Sequence, residues 1–163
     1  MELRSFRDDD LAAIHAINQA EVPAVGEETA EALRAIAAES VITVVADEGG
    51  DIAGFCFVLG PGAEYASLNY AWFAERYDDF VYLDRVAIAP SFQRRGIGRR
   101  MYAEVERLAA ERRPSATDFL LEVNLKPRND TSLTFHAELG FVEVGQRDST
   151  GGKIVSMMAK PLR

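Results

Sequence analysis

Apolar residues alternate with polar ones along some stretches of the chain and recur every third or fourth position along others, and the two periods mark strands and helices. Leu3–Phe6 reads as a short first strand. Asp8–Asp10 place carboxylates at the start of a helix, where the dipole favours them, and Leu11, Ile14 and Ile17 form its inner stripe. His15 falls off that stripe and is expected to be exposed and without a role. Pro23 stops this helix, and a second, about Glu28–Ala38, turns Leu33, Ile36 and Ala37 inward with Thr29 near its start. Val41–Ala46 and Ile52–Leu59 are β-rich, and Glu48-Gly49-Gly50-Asp51 between them is turn chemistry, which predicts an antiparallel hairpin. Cys56 alternates within it as a small core residue. Pro61-Gly62 breaks the second strand.

Phe80–Ala89 is the fourth strand, and simple alternation puts Tyr82, Asp84 and Val86 on one face with Leu83, Arg85 and Ala87 on the other. Ile97, Met101, Val105 and Leu108 define a long amphipathic helix that ends near Arg113-Pro114. Phe119–Val123 follows as a strand on which Glu122 faces away from Leu121 and Val123. A helix capped by Asn129 or Asp130 runs to Gly140, and Phe141–Gly145 and Lys153–Ala159 make a last hairpin around Ser149–Gly152. The order β-α-α-β-β-β-α-β-α-β-β describes an α/β chain of about seven strands and about four helices, forming one domain over residues 1–163.

One segment does not fit a plain connector. Tyr65, Tyr70, Trp72, Phe73, Tyr77 and Phe80 crowd the stretch before the fourth strand, and an unpacked loop would expose them. Either a short helix, Asn69–Tyr77, docks on the sheet, or the aromatics wall a pocket; the two are compatible. Tyr70 and Trp72 are accordingly candidate substrate contacts, as are Tyr82 and Asp84, polar residues in an otherwise apolar strand. A neighbouring arginine that pairs with Asp84 is the alternative account of its burial.

Composition narrows the classes. The chain is 48% hydrophobic and 27% charged, an ordinary globular balance. A single cysteine rules out an internal disulfide and suits a reducing compartment. The acidic start has no apolar signal core and no stretch is long enough to span a membrane, so a cytoplasmic protein without a membrane partner is expected. A formal net charge of -8 argues against non-specific nucleic-acid binding and leans weakly towards cationic substrates. Two scattered histidines and one cysteine make no metal site.

Against that acidic background, Val86–Arg100 gathers Arg94, Arg95, Arg99 and Arg100 around Gly96 and Gly98, where a strand gives way to a helix. Unpartnered amides at a helix start, positive dipole and four cations make a phosphate cradle. A P-loop would need a Gly-Lys-Ser/Thr ending, and a dinucleotide fingerprint a small residue where Met101 stands; both are absent. Gln93-Arg94-Arg95-Gly96-Ile97-Gly98, with its strand and helix, resembles the acyl-CoA pyrophosphate loop of the GCN5-related N-acetyltransferase (GNAT) superfamily, Q/R-x-x-G-x-G/A. A second block, Leu121–Phe141, resembles the same superfamily through Asn129 near a helix start, an aromatic pair and Gly140-Phe141. His136 stands where the family commonly holds tyrosine.

The resemblance implies a mixed sheet splayed between its fourth and fifth strands, and acetyl-CoA as acyl donor. It implies that backbone groups of Val86, Ala87 and Ile88 hold the pantetheine arm, and that Gln93 and the amides of Arg94, Arg95, Gly96, Ile97, Gly98 and Arg99 hold the pyrophosphate. Asn124, Asn129, Ser132 and His136 would complete the donor site, with Lys126 and Arg128 as possible ribose-phosphate partners. His136 would protonate the departing thiolate or relay a proton; Glu122 and Asp84 are rival bases, with a water chain as a third route and Tyr82 beside them. Val22–Gly26 would border the acceptor pocket. The function implied is transfer of an acetyl group from acetyl-CoA to a primary amine, of a small molecule or a protein, by a chain for which the resemblance allows a homodimer; the alternative is a non-catalytic acyl-CoA-binding module.

Overall fold

The computed structural model describes all 163 residues. The hairpin expected around Gly49-Gly50 forms from β2 (Ile42–Glu48) and β3 (Asp51–Leu59), its turn carried by positive φ angles of 63° and 102° at the two glycines. β1 (Glu2–Arg4) pairs antiparallel with β2, and β4 (Phe80–Ile88) with β3. Beyond them lie β5 (Asp118–Lys126), β6 (Val142–Asp148) and β7 (Ile154–Pro161), giving one seven-stranded sheet in the order β1-β2-β3-β4-β5-β7-β6. The sheet is mixed because β4 and β5 alone run parallel, joined by a crossover helix.

Five helices cover the two faces: α1 (Leu11–Ala20), α2 (Ala30–Glu39), α3 (Leu68–Ala74), α4 (Ile97–Arg112) and α5 (Asp130–Glu138). The one beyond the expected four is α3, the short helix that the aromatic segment allowed for. Ser67 caps it, its hydroxyl accepting from the Tyr70 amide at 3.1 Å. On one face, Met101, Tyr102 and Val105 of α4 pack with Val44, Cys56, Leu83 and Leu121 of the sheet. On the other, Ile14, Ile17 and Leu33 of α1 and α2 cover Phe55 and Phe57, while Tyr70 and Phe73 of α3 cover Leu59, Tyr82 and Leu120.

Two details differ from simple periodicity. Phe57 pairs with Arg85 and Val58 with Leu83, so Asp84 is an extra residue, a β-bulge. The bulge reverses the alternation that follows it. Arg85 and Ala87 therefore stand on the face of Tyr82, and Val86 joins Leu83 on the α4 face, which corrects the grouping of Tyr82, Asp84 and Val86. His15 is half-buried rather than exposed, its Nε2 lying 3.0 Å from the Glu28 carbonyl across the α1–α2 connection. The acidic run at the start of α1 also does more than complement a dipole: Asp10 is buried and accepts two bonds of 2.8 Å from Arg4, tying β1 to the helix.

Candidate active site

β4 and β5 pair over Phe80–Tyr82 and Asp118–Leu120 only, then separate, although each runs on, to Ile88 and to Lys126. The strands thus open a wedge in the middle of the sheet. On the β4 side, the Ala89 amide donates to the Ala53 carbonyl at 2.8 Å. Alternation of an antiparallel ladder then turns the N–H and C=O of Val86 and Ile88 into the wedge, and those of Ala87 towards β3. Gln93 closes the end of the strand, its amide nitrogen donating to the Ile88 carbonyl at 3.1 Å and to Glu21, just past α1, at 2.7 Å.

At the mouth of the wedge α4 begins. Arg94 has φ 63° and Gly96 φ 75°, so the loop coils in the left-handed region and turns its amides in one direction. None of the amides from Arg94 to Arg99 donates to a carbonyl or side chain of the protein. Nothing lies within 4 Å of where a Gly96 Cβ would stand, so the glycine leaves an open cradle. Gly98 has another reason to be glycine: a Cβ there would sit 3.4 Å from the Phe135 ring, where α5 meets α4. Arg94, Arg95, Arg99 and Arg100 are exposed around this turn, with Arg99 bridged to Glu138 of α5. The donor set, free amides backed by a helix N-terminus and guanidinium groups, fits a pyrophosphate.

On the opposite face, at the apex of the wedge, the Tyr82 hydroxyl donates to Glu122 at 2.7 and 3.0 Å. Burial pushes the Glu122 carboxyl up to about 7; the Tyr82 hydrogen bond opposes the rise and the nearby Asp84 charge adds to it. Tyr82 itself is raised well above the usual phenol range, by burial first and then by the Glu122 charge. Asp84 has a side chain 6% exposed, and its Oδ2, without a hydrogen bond, lies 3.6 Å from Arg85 Nε. Burial raises its carboxyl too, against the pull of the Tyr65 hydroxyl and Arg85. The arginine expected as its partner is therefore present. Arg85 also donates to Asn18 at 3.0 Å, to the Gly26 carbonyl at 2.6 Å and to Glu28 at 3.1 Å, which draws the 22–26 segment against β4.

His136 lies on the α4 face instead, 5% exposed among the rings of Tyr102, Phe135 and Phe141. Its Nδ1 is 2.7 Å from the Ser132 carbonyl, which can only accept, so the proton is on Nδ1 and Nε2 accepts from the Tyr102 hydroxyl at 2.7 Å. Burial lowers its pKa, against the Ser132 bond. Both nitrogens are engaged, and the lowered pKa favours the neutral ring, the form that the proton-relay role would use rather than the imidazolium acid. Asn129 caps α5 by accepting from the Ser132 amide at 3.1 Å, and its own amide donates to the Asn124 carbonyl at 3.1 Å, which sets the α5 start against the end of β5.

The aromatic candidates divide. Tyr70 is buried, and its hydroxyl donates to the Gly60 carbonyl at 2.6 Å and accepts from the Ala63 amide at 3.1 Å, so its one donor is taken within the fold. Trp72 lies over Gly145 of β6, with the Arg76 guanidinium 3.9 Å from its ring centre. Tyr65, by contrast, reaches Asp84, and burial raises its hydroxyl pKa. Sequence reading singled out neither Asn18 nor Asn69 nor Arg147. Asn69 accepts from Arg147 Nε at 2.8 Å. The only signal in the sequence for Asn69 was its place at the start of the aromatic segment, and for Arg147 there was none.

The chain belongs to the acetyltransferase (GNAT) family, which its sequence matches over residues 11–141, and it is an N-acetyltransferase. Solved structures of the same fold include the ribosomal-protein-S18-alanine N-acetyltransferase from Escherichia coli, with TM-score 0.75 and 20% identity over 99% of this chain and 93% of that one. Naa20 of Chaetomium thermophilum, solved with a bisubstrate analogue, gives 0.76 and 21% over 99% and 86%. The yncA protein of Salmonella typhimurium, solved with its cofactor acetyl-CoA, gives 0.73 and 20% over 100% and 94%. No curated protein sequence matches the chain. No helix is long and apolar enough to cross a membrane.

Proposed function

We propose that the protein moves an acetyl group from acetyl-CoA to a primary amine by direct transfer in a ternary complex. The observation that carries this reading is the wedge between β4 and β5, with free amides on its α4 side and the Tyr82–Glu122 pair at its apex on the other face. The amides of Arg94–Arg99 bind the donor pyrophosphate, with Gln93 fixing the loop. The backbone of Val86 and Ile88, with Ala87 between them, holds the pantetheine arm, and one of these amides donates to the thioester carbonyl as negative charge builds on its oxygen. Asn124, Asn129 and Ser132 shape the far wall of that channel.

Glu122 is the base, with Tyr82 holding its carboxylate and Asp84 tuning it by charge. Glu122 takes a proton from the acceptor ammonium; the neutral nitrogen attacks the carbonyl carbon, the carbon–sulfur bond breaks, and a second nitrogen proton ends on the sulfur as free CoA thiol. General-base assistance of this kind contributes roughly 10²–10⁴-fold, and fixing the two reactants together contributes up to about 7–11 kcal/mol. His136, neutral and doubly bonded, seats α5 on α4. One structure of the same fold is named for an alanine of ribosomal protein S18 and another for phosphinothricin, so a protein amine stands beside small amines as the acceptor of this chain.

Release of CoA thiol from acetyl-CoA, followed across amino acids, polyamines and short peptides with a no-amine control, tests the reading. We expect one amine class to accelerate release. Binding of acetyl-CoA without acceleration by any of them overturns these acceptor classes for the chain.

A further inference from the structure

The connection between α1 and α2 has little backbone order of its own. Between Val22 and Glu28 only the Val22 and Val25 amides donate to backbone carbonyls, over 3.4 and 3.3 Å. Side chains hold it instead. His15 Nε2 donates to the Glu28 carbonyl at 3.0 Å, and Gln19 accepts from the Glu28 amide at 3.2 Å. Asn18, fully buried, gives its NH2 group to the Gly26 carbonyl at 3.0 Å and accepts from Arg85 at 3.0 Å. Arg85 adds bonds to the same carbonyl at 2.6 Å and to Glu28 at 3.1 Å. At the other end, Glu21 accepts from Gln93 at 2.7 Å. These two fastenings flank one stretch of backbone: Arg85 stands just beyond Tyr82, where β4 stops pairing with β5, and Gln93 follows the end of β4 and caps the Ile88 carbonyl. Residues 21–28 therefore lie along the open part of β4, on the face of Tyr82 and Glu122.

We propose that Arg85 and Glu21 are positioning residues for the acceptor: Arg85 fixes the wall of residues 21–28 against β4, and Glu21, through Gln93, ties that wall to the donor loop. The inference rests on the reading of the wedge as the site of acetyl transfer. Arg85 meets three partners with one planar guanidinium, which sets an orientation that a single ammonium could not. The Glu21 bond is a different kind of tie, because its other end is mobile or fixed according to what the loop holds. Gln93 adjoins the free amides of Arg94–Arg99, so a pyrophosphate bound there holds Gln93 still, and the wall loses freedom with it. An acceptor that arrives second then meets a wall already ordered and loses less entropy in binding.

The tie is tested without an acceptor, by hydrogen exchange of the whole protein read by mass spectrometry with and without acetyl-CoA. We expect acetyl-CoA to slow exchange over residues 22–28 about threefold or more in the wild type. The same slowing is expected in Glu21→Gln, which keeps an oxygen for Gln93, and not in Glu21→Ala. With the amine that accelerates CoA release, Arg85→Gln should raise the acceptor KM about tenfold and leave kcat and the acetyl-CoA Kd within about threefold. Arg85→Lys, with one point of charge for three partners, should recover only part of that loss. Slowing that is equal in Glu21→Ala and the wild type, or absent from both although acetyl-CoA binds, overturns the tie. An acceptor KM unmoved in Arg85→Gln, with the variant folded by its thermal transition, overturns the wall. Failure of acetyl-CoA to bind the wild type overturns the reading of the wedge instead, and the positioning roles with it.

Discussion

An ordinary carboxylate is too weak a base to hold an amine proton at neutral pH, and Glu122 escapes that limit because burial lifts it to about 7. The same shift has a cost in stability. A carboxyl whose pKa is higher folded than unfolded binds its proton more tightly in the native state, so stability falls as pH rises from the unfolded value of 4.5 through about 7. Glu122→Gln keeps an acceptor for Tyr82 and removes the charge. We expect it to lower turnover roughly 10²-fold or more and to abolish the acid limb of the kcat/KM profile near pH 7. It should also raise stability above neutral pH by ~1–3 kcal/mol, read as a higher Tm at pH 8 than at pH 5 relative to wild type. Sequence alone placed Glu122 and Asp84 as equals. Alternation along β5 gave the direction of Glu122, but its distance from Tyr82 depends on where two parallel strands stop pairing, a tertiary fact that no local period encodes.

At the scale of elements, single positions decide how helices sit on the sheet. The strands and helices were legible because each has a buried face, and the glycine loop because phosphate chemistry requires particular residue types. The bulge at Asp84 was not legible, since one extra residue leaves the apolar pattern intact while reversing the faces beyond it. The docking of α3 was half legible: its aromatics required burial, but not the partner. That partner is Gly145, where a Cβ would come within 2.6 Å of the Trp72 ring. Gly145→Ala must therefore displace the indole and the helix that carries it. We expect a loss of about 1–3 kcal/mol, the usual cost of overpacking. Trp72 is the only tryptophan, so a red shift of its emission reports the displacement directly.

At the scale of the whole molecule, the sheet separates two chemistries. Free amides and arginines collect at the α4 side, the carboxyls on the face of α1, α2 and α3, and the wedge alone connects them. In the direct transfer proposed, both reactants are bound at once. Cys56, the one thiol, is a poor carrier for the acetyl group between visits, because it is fully buried and its pKa is pushed up to about 12. Initial rates with both substrates varied should give intersecting rather than parallel lines, and Cys56→Ala should retain turnover within about threefold, a change of less than ~1 kcal/mol in the barrier.

The parted strands have one more consequence. Unpaired N–H and C=O groups on a strand edge attract any extended chain, and proteins ordinarily hide such edges or blunt them at the rim of a sheet. Here the open edge, the N–H and C=O of Val86 and the N–H of Ile88, lies at the centre, beneath α4 and α5, where neighbouring walls diverge from a closed apex. A polypeptide entering would have to bury side chains on both of its faces against those walls. The pantetheine arm is a thin chain of amides with almost no side groups, and it can offer the missing hydrogen bonds without that bulk. With the arm seated as proposed, the gap is a recognition device for slenderness: its selectivity for the donor comes as much from what its walls exclude as from what its backbone binds.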